Sequence, residues 1–220
     1  MIPRTPKRNP TRGPERAPAR VRTPSFVRAP RLLAAPERVA LTAPQRATVH
    51  MAASLLLDYP AEDALQARLE AVEAALTGPD APPAAVAAPV EEFVATARSW
   101  GARVLAEHYV ETFDRRRRCC LYLTYYAVGD TRHRGAALLA FKQALSAAGY
   151  EMAVDELPDY LPALLELAAA VSDKEALHIL TEVRPKLELL RDRLIEAKLP
   201  YAFLLDVVLT EASSLEGRTA

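Results

Sequence analysis

Residues 105–135 read LAEHYVETFDRRRRCCLYLTYYAVGDTRHRG, and no other part of the chain resembles them. Within this stretch Tyr109, Phe113, Tyr122, Tyr125 and Tyr126 crowd against Asp114, four consecutive arginines from Arg115 to Arg118, Asp130, Arg132 and Arg134. Both cysteines of the chain, Cys119 and Cys120, lie there too. An ordinary structural helix does not require that density of aromatic and charged side chains. The fold and the function of the chain therefore turn on this segment.

On either side the sequence settles into helical periodicity. Upstream, Val49, Ala52, Ala53, Leu56 and Leu57 recur at helical spacing, with Pro44 near the start of that helix. Leu65, Leu69, Val72 and Leu76 give a second stripe. Four prolines at 79, 82, 83 and 89 predict a loop over residues 77–89. A third helix is predicted from about Val90, with Phe93, Val94, Ala97, Trp100 and His108 along one side and Trp100 as a core anchor. Gly101 inside it costs about 1 kcal/mol relative to alanine, unless it allows a close helix contact.

Downstream, Gly129-Asp130-Thr131 reads as a helix stop followed by a new cap. Ala137, Leu138, Phe141 and Leu145 follow as a stripe. Asp155 is placed as the cap of the next helix, with Pro162 expected to bend it. Ser172 to Glu175 form a capping-box pattern before a long helix in which Pro185 predicts a kink. Leu199-Pro200 opens a last helix with Tyr201, Leu204, Leu205, Val208 and Leu209 inward. No run alternates apolar and polar residues as a strand would. The expected fold is all-α, a single helical bundle of about seven or eight helices.

Residues 1–45 differ in kind. They carry nine of the eighteen prolines, many arginines and few large apolar side chains, and are expected to be a disordered tail. The expected organisation is tail 1–45, helical domain 46–215 and a frayed C-terminus 216–220. The formal net charge of zero hides a basic tail ahead of an acidic body. Adjacent cysteines make no disulfide framework and fit a reducing compartment, so a cytoplasmic location is expected. No apolar run is long enough to span a bilayer, so no membrane insertion is expected.

Searches for chemistry return little. The histidines at 50, 108, 133 and 178 have no metal-ligand spacing, and there is no phosphate loop, dinucleotide glycine pattern or nucleophile elbow. Cys119 or Cys120 paired with His108 or His133 would be a formal thiol nucleophile, but a small buried packing role is the commoner fate of a free cysteine. No enzyme activity, metal or cofactor is expected. The tyrosines suit a surface both apolar and hydrogen-bonding, rimmed by arginine and aspartate, which is the make-up of a peptide clamp. The alternative is a helical nucleic-acid-binding protein using the basic tail and the arginine run, against which the acidic body counts.

Residues 109–135 closely resemble the signature segment of the NarJ family, the assembly chaperones of respiratory nitrate reductase. Residues 54–60, SLLLDYP, resemble the family's first-helix motif, and residues 155–169, DELPDYLPALLELAA, its later Glu-x-Pro-Asp-His-Leu-Pro segment. Tyr160 stands where the family usually has histidine.

The resemblance implies the all-helical fold shared with the TorD and DmsD chaperones. It also implies a function: binding the apo catalytic (alpha) subunit of nitrate reductase, chiefly through its N-terminal segment. The subunit would be held competent for molybdenum cofactor and iron–sulfur insertion before membrane docking, with the chaperone absent from the final enzyme. Molybdenum cofactor biosynthesis proteins are further candidate partners; nucleic acid is not. The client-binding residues the resemblance implies are Tyr109, Phe113, Asp114, Arg117, Tyr122, Tyr125, Tyr126, Asp130, Arg132 and Arg134, with Glu156, Pro158 and Asp159 in second rank.

Overall fold

The computed structural model describes residues 39–128, 133–147, 149–150, 156–171 and 173–215. Among them are eight α-helices and no strand: α1 Ala43–Leu57, α2 Glu62–Thr77, α3 Ala84–Tyr109, α4 Thr124–Val128, α5 His133–Ala147, α6 Leu161–Ala170, α7 Asp173–Glu196 and α8 Ala202–Leu215. The all-α expectation is met. Most of the predicted tail, the stop at Gly129 to Thr131, the Asp155 and Ser172 caps and residues 216–220 lie outside the described residues, as do the candidate site residues Asp130 and Arg132.

The bundle is built around α8. Residues 201–210 are all buried, not only the single stripe expected from spacing. Helices α1, α3 and α7 pack against α8, while α6 packs extensively against α1. A helix apolar on every side is stable only when surrounded. Leu204, Leu205 and Val208 are at most 1% exposed, and each such side chain contributes about 1.5–3 kcal/mol of transfer free energy. Two buried polar side chains on α8 have partners. Asp206 pairs with Arg191 of α7, and the Thr210 hydroxyl donates to the Asp206 carbonyl at 2.8 Å.

Local signals explain several boundaries. Thr42 and Gln45 form a reciprocal capping box that starts α1, with Pro44 in the first turn where its missing N–H costs nothing. Leu41, just outside the helix, is buried in the core.

Several expectations need correction. Helix α3 begins at Ala84, so Pro89 lies within it and the proline-rich loop is confined to residues 78–83. Gly101 does not serve a close contact: it takes φ 71°, ψ 168°, breaks α3 in two, and has nothing within 4 Å of where a Cβ would stand. That conformation is accessible almost only to glycine. Pro162 does not bend a helix, because α6 starts at Leu161 and the proline falls in its first turn. Trp100 is half-buried against the core rather than anchoring its interior. Helix α7 continues through Pro185.

After α3 the chain does not stay helical. A single π-helical turn, Val110–Asp114, and a 3-10 turn, Arg117–Cys119, carry it to α4. Tyr122 therefore precedes α4, and only Tyr125 and Tyr126 of the three tyrosines lie on that helix.

Candidate functional site

The three unusual sequence segments meet at one place. Residues 54–60 end α1, residues 121–124 precede and begin α4, and residues 159–161 lead into α6. The last two run antiparallel: Leu123 N–H donates to the Asp159 carbonyl and Leu161 N–H to the Leu121 carbonyl, each at 2.9 Å. Asp159 is fully buried, and its Oδ2 accepts from the Thr124 amide at 2.9 Å and the Thr124 hydroxyl at 2.6 Å. A buried carboxylate thus holds the first turn of α4 in place, as an N-terminal anchor does.

The first segment joins through side chains. Ser54 Oγ donates to the Pro162 carbonyl at 2.8 Å in a buried setting. The Tyr160 hydroxyl donates to Asp58 Oδ1 at 3.0 Å and lies 3.1 Å from the Tyr109 hydroxyl. With the Tyr160 proton committed to Asp58, Tyr109 is the donor of that second bond. Arg68 of α2 completes the chain, pairing with Asp58 Oδ2 at 2.8 Å and donating to the Tyr59 carbonyl at 3.0 Å. Burial raises both tyrosine pKa values well above the ordinary phenol range, so both hydroxyls keep their protons.

Beside this network opens a groove of about 570 Å³ between the C-terminal half of α1 and α6. Its apolar surface comes from Leu55, Tyr160, Pro162, Ala163, Leu167 and Ala170. Asp58, Glu156, Glu166 and Arg68 supply its charges. Arg68 is committed to Asp58; Glu156 and Glu166 have no ion-pair partner among the described residues. A groove with an apolar floor and an acidic edge has the form of a peptide-binding surface. No group of three or more metal-ligating side chains occurs among the described residues.

The candidate site residues divide around this groove. Glu156 lines it. Tyr122 lies next to it, its ring 5.2 Å from that of Tyr160 and its centre 5.7 Å from the Arg134 guanidinium carbon. Tyr109 reaches it only through the Tyr160 hydroxyl; its ring is buried among Tyr59, Phe113 and Tyr201. Phe113 and Pro158 are buried, and Asp159 acts on α4 rather than on the groove. Asp114 and Arg117 are exposed. Tyr126 is fixed by a 2.7 Å bond to the Cys120 carbonyl and by Arg193, 5.2 Å from its ring centre, while half-buried Tyr125 packs edge-on to Tyr126.

Sequence reasoning missed Ser54, Leu55, Asp58, Arg68, Ala163, Glu166 and Leu167 as lining residues. The signal was the SLLLDYP segment, which was read for its resemblance and not for its side chains. Glu166 was also detectable as an acid on the outer face of an otherwise apolar helix.

The arginines do not activate the thiols. Burial raises the pKa of both Cys119 and Cys120, outweighing the lowering by Arg116 and Arg193 on the first and by the Tyr122 amide and Arg134 on the second. His108 faces the rings of Trp100 and Tyr201.

Comparison with known proteins gives a consistent result. A family model whose description reads nitrate reductase delta subunit matches residues 79–205. The nitrate reductase-like protein NarX of Mycobacterium tuberculosis is 38% identical over 154 residues, which are 70% of this chain and 22% of NarX. The probable nitrate reductase molybdenum cofactor assembly chaperone NarJ of Bacillus subtilis is 36% identical over 126 residues, 57% of this chain and 68% of that protein. For the Escherichia coli chaperone NarJ the figures are 36% over 106 residues, 48% and 45%. The chain thus spans about a fifth of the length of NarX and more of the dedicated chaperones.

Proposed function

We infer the function from kinship: the chain belongs to the nitrate reductase delta subunit family. The reading best supported is an assembly chaperone for a molybdenum-containing nitrate reductase. It would bind the apo catalytic subunit, chiefly through that subunit's N-terminal segment, and keep it open for molybdenum cofactor and iron–sulfur insertion. Release would precede docking at the membrane, in keeping with a cytoplasmic protein absent from the final enzyme. The work is binding, and no chemical step is assigned to any residue.

The observation that carries this reading is that the three family-like segments meet through Tyr160, Asp58 and Tyr109 beside a groove that two of them line. Leu55, Ala163 and Leu167 would receive apolar side chains of the client, and Glu156 and Glu166 its cationic ones. Tyr122 and Arg134 extend the surface beyond Tyr160. An acidic groove suits a peptide rather than a phosphate backbone, which weighs against the nucleic-acid alternative.

The test is a calorimetric titration of the full chain with a peptide from the N-terminus of the catalytic subunit. Binding is expected in the micromolar range or tighter. Leu167→Glu should abolish it, because a carboxylate would be placed on the apolar floor beside Glu166. Undiminished binding by Leu167→Glu would move the site away from this groove.

A further inference from the structure

We propose that the groove between α1 and α6 has an occupant within this chain: residues 25–35, SFVRAPRLLAA, which compete with the client for it. The competitor role rests on the client-binding reading above; the contact itself rests on the chemistry of the two surfaces.

The groove presents a definite demand. Leu55, Ala163, Leu167 and Tyr160 give it an apolar floor, and Glu156 and Glu166 give it an acidic edge with no ion-pair partner among the described residues. Two carboxylates beside an apolar strip are best matched by a segment carrying large apolar side chains with cations between them.

Residues 1–38 carry ten Lys and Arg against two acids. Their large apolar side chains are concentrated in one place, as Phe26-Val27 and Leu32-Leu33, with Arg28 and Arg31 between the two pairs. Pro24, Pro30 and Pro36 each lack a backbone N–H, a sequence pattern unsuited to a helix interior. An extended chain with alternating apolar and cationic groups can set the former on the floor and the latter against Glu156 and Glu166.

Connectivity allows it. The chain enters α1 at Thr42, and the groove begins near Leu55, about 20 Å further along the helix at ~1.5 Å per residue. Leu33 precedes Thr42 by nine positions, a reach of about 30 Å when extended, which is enough to fold back along α1. Tethering at that length gives an effective concentration on the order of 1 mM. A segment with an intrinsic Kd of ~0.1 mM would then occupy the groove about nine-tenths of the time and weaken apparent client affinity about tenfold.

The experiment uses the full chain with p-benzoylphenylalanine in place of Leu167, irradiated at low micromolar concentration and mapped by mass spectrometry. A cross-link within one chain to residues 25–35 is expected, to be lost in the Arg28→Glu, Arg31→Glu double variant and much reduced in molar salt. Cross-links to other residues only, between two chains only, or none at all would overturn the proposal. A second arm titrates the client peptide into the wild-type chain and the double variant. The variant should bind about five- to tenfold tighter, and equal affinity would overturn the competitor role. The two failures separate cleanly. A client peptide that cross-links at Leu167 when the tail does not removes the tail contact alone. A tail cross-link with no client binding by either form removes the client reading and the competitor role with it.

Discussion

Tyr160 donates a hydrogen bond to Asp58 at 3.0 Å, joining residues 102 positions apart in the sequence. The same hydroxyl accepts from Tyr109, and Asp58 is held from its other oxygen by Arg68. Tyr160→Phe keeps the ring but leaves the Tyr109 hydroxyl without its acceptor and Asp58 with one donor fewer. The expected cost is about 1–2 kcal/mol, seen as a lower urea midpoint with an unchanged slope. Client-peptide affinity should change less than twofold, because the apolar floor is intact. An unchanged midpoint would show that the hydroxyl chain contributes nothing to stability.

A second prediction concerns the buried carboxylate of Asp159. Its Oδ2 satisfies both the amide and the hydroxyl of Thr124, and no cation reaches it among the described residues. Asp159→Ala leaves two buried donors unpaired and a small cavity, for an expected loss of about 2–4 kcal/mol. Asp159→Asn retains an acceptor and should lose about half as much. If both variants fall equally, the negative charge rather than the acceptor geometry holds α4.

These two residues also show what was legible in the sequence. The helical stripes of α1, α2 and α7 could be read because each buries one face, and periodicity records a one-sided burial. Helix α8 was read only in part: a helix surrounded on all sides has no polar face to set its phase. Pro89 and Pro162 were misplaced because a proline marks a first turn as readily as a break, and only neighbouring packing decides which. The tyrosines of residues 105–135 were legible as a group but not one by one. Tyr109 is buried among three aromatic rings, Tyr122 stacks on Tyr160 and Tyr126 is bonded to its own loop, through contacts with residues up to dozens of positions away. Asp58 could not be assigned from spacing at all, because its partners Arg68, Tyr160 and Tyr109 come together only in the folded chain.

The two adjacent tyrosines of α4 should separate in experiment. The Tyr126 hydroxyl bonds the Cys120 carbonyl at 2.7 Å, its ring receives Arg193, and Arg193 in turn donates to the Arg118 carbonyl at 2.9 Å. Tyr126→Ala should therefore cost about 2–3 kcal/mol, from lost burial, a lost hydrogen bond and a released guanidinium. Tyr125 has its edge contact with Tyr126, and Tyr125→Ala should cost less than about 1 kcal/mol. If Tyr125→Ala weakens client binding at unchanged stability, the binding surface extends from the groove across α4. Thermal midpoints and peptide titrations on the same two variants separate these roles.

The last prediction is a dependence on pH. His108 lies between Trp100, with ring centres 4.6 Å apart, and Tyr201, stacked at 5.6 Å. Burial, reinforced by the positive charge of Arg116, lowers its pKa to about 4. The unfolded chain takes up this proton near pH 6.5 and the folded chain does not until about pH 4, so stability is complete above the higher value. It declines as the pH falls through that window, because the unfolded state then binds more protons. Partial exposure of the ring reduces the effect to about 1–2 kcal/mol across the window. Carboxylates titrate mainly below about pH 5, so urea midpoints between about pH 7 and pH 5 report on histidines, and a variant at position 108 singles out this one. Wild type should lose stability over that range, and His108→Gln, which cannot protonate, should lose markedly less. Parallel profiles for the two proteins would mean that the ring takes up its proton at the same pH in the folded and unfolded chains.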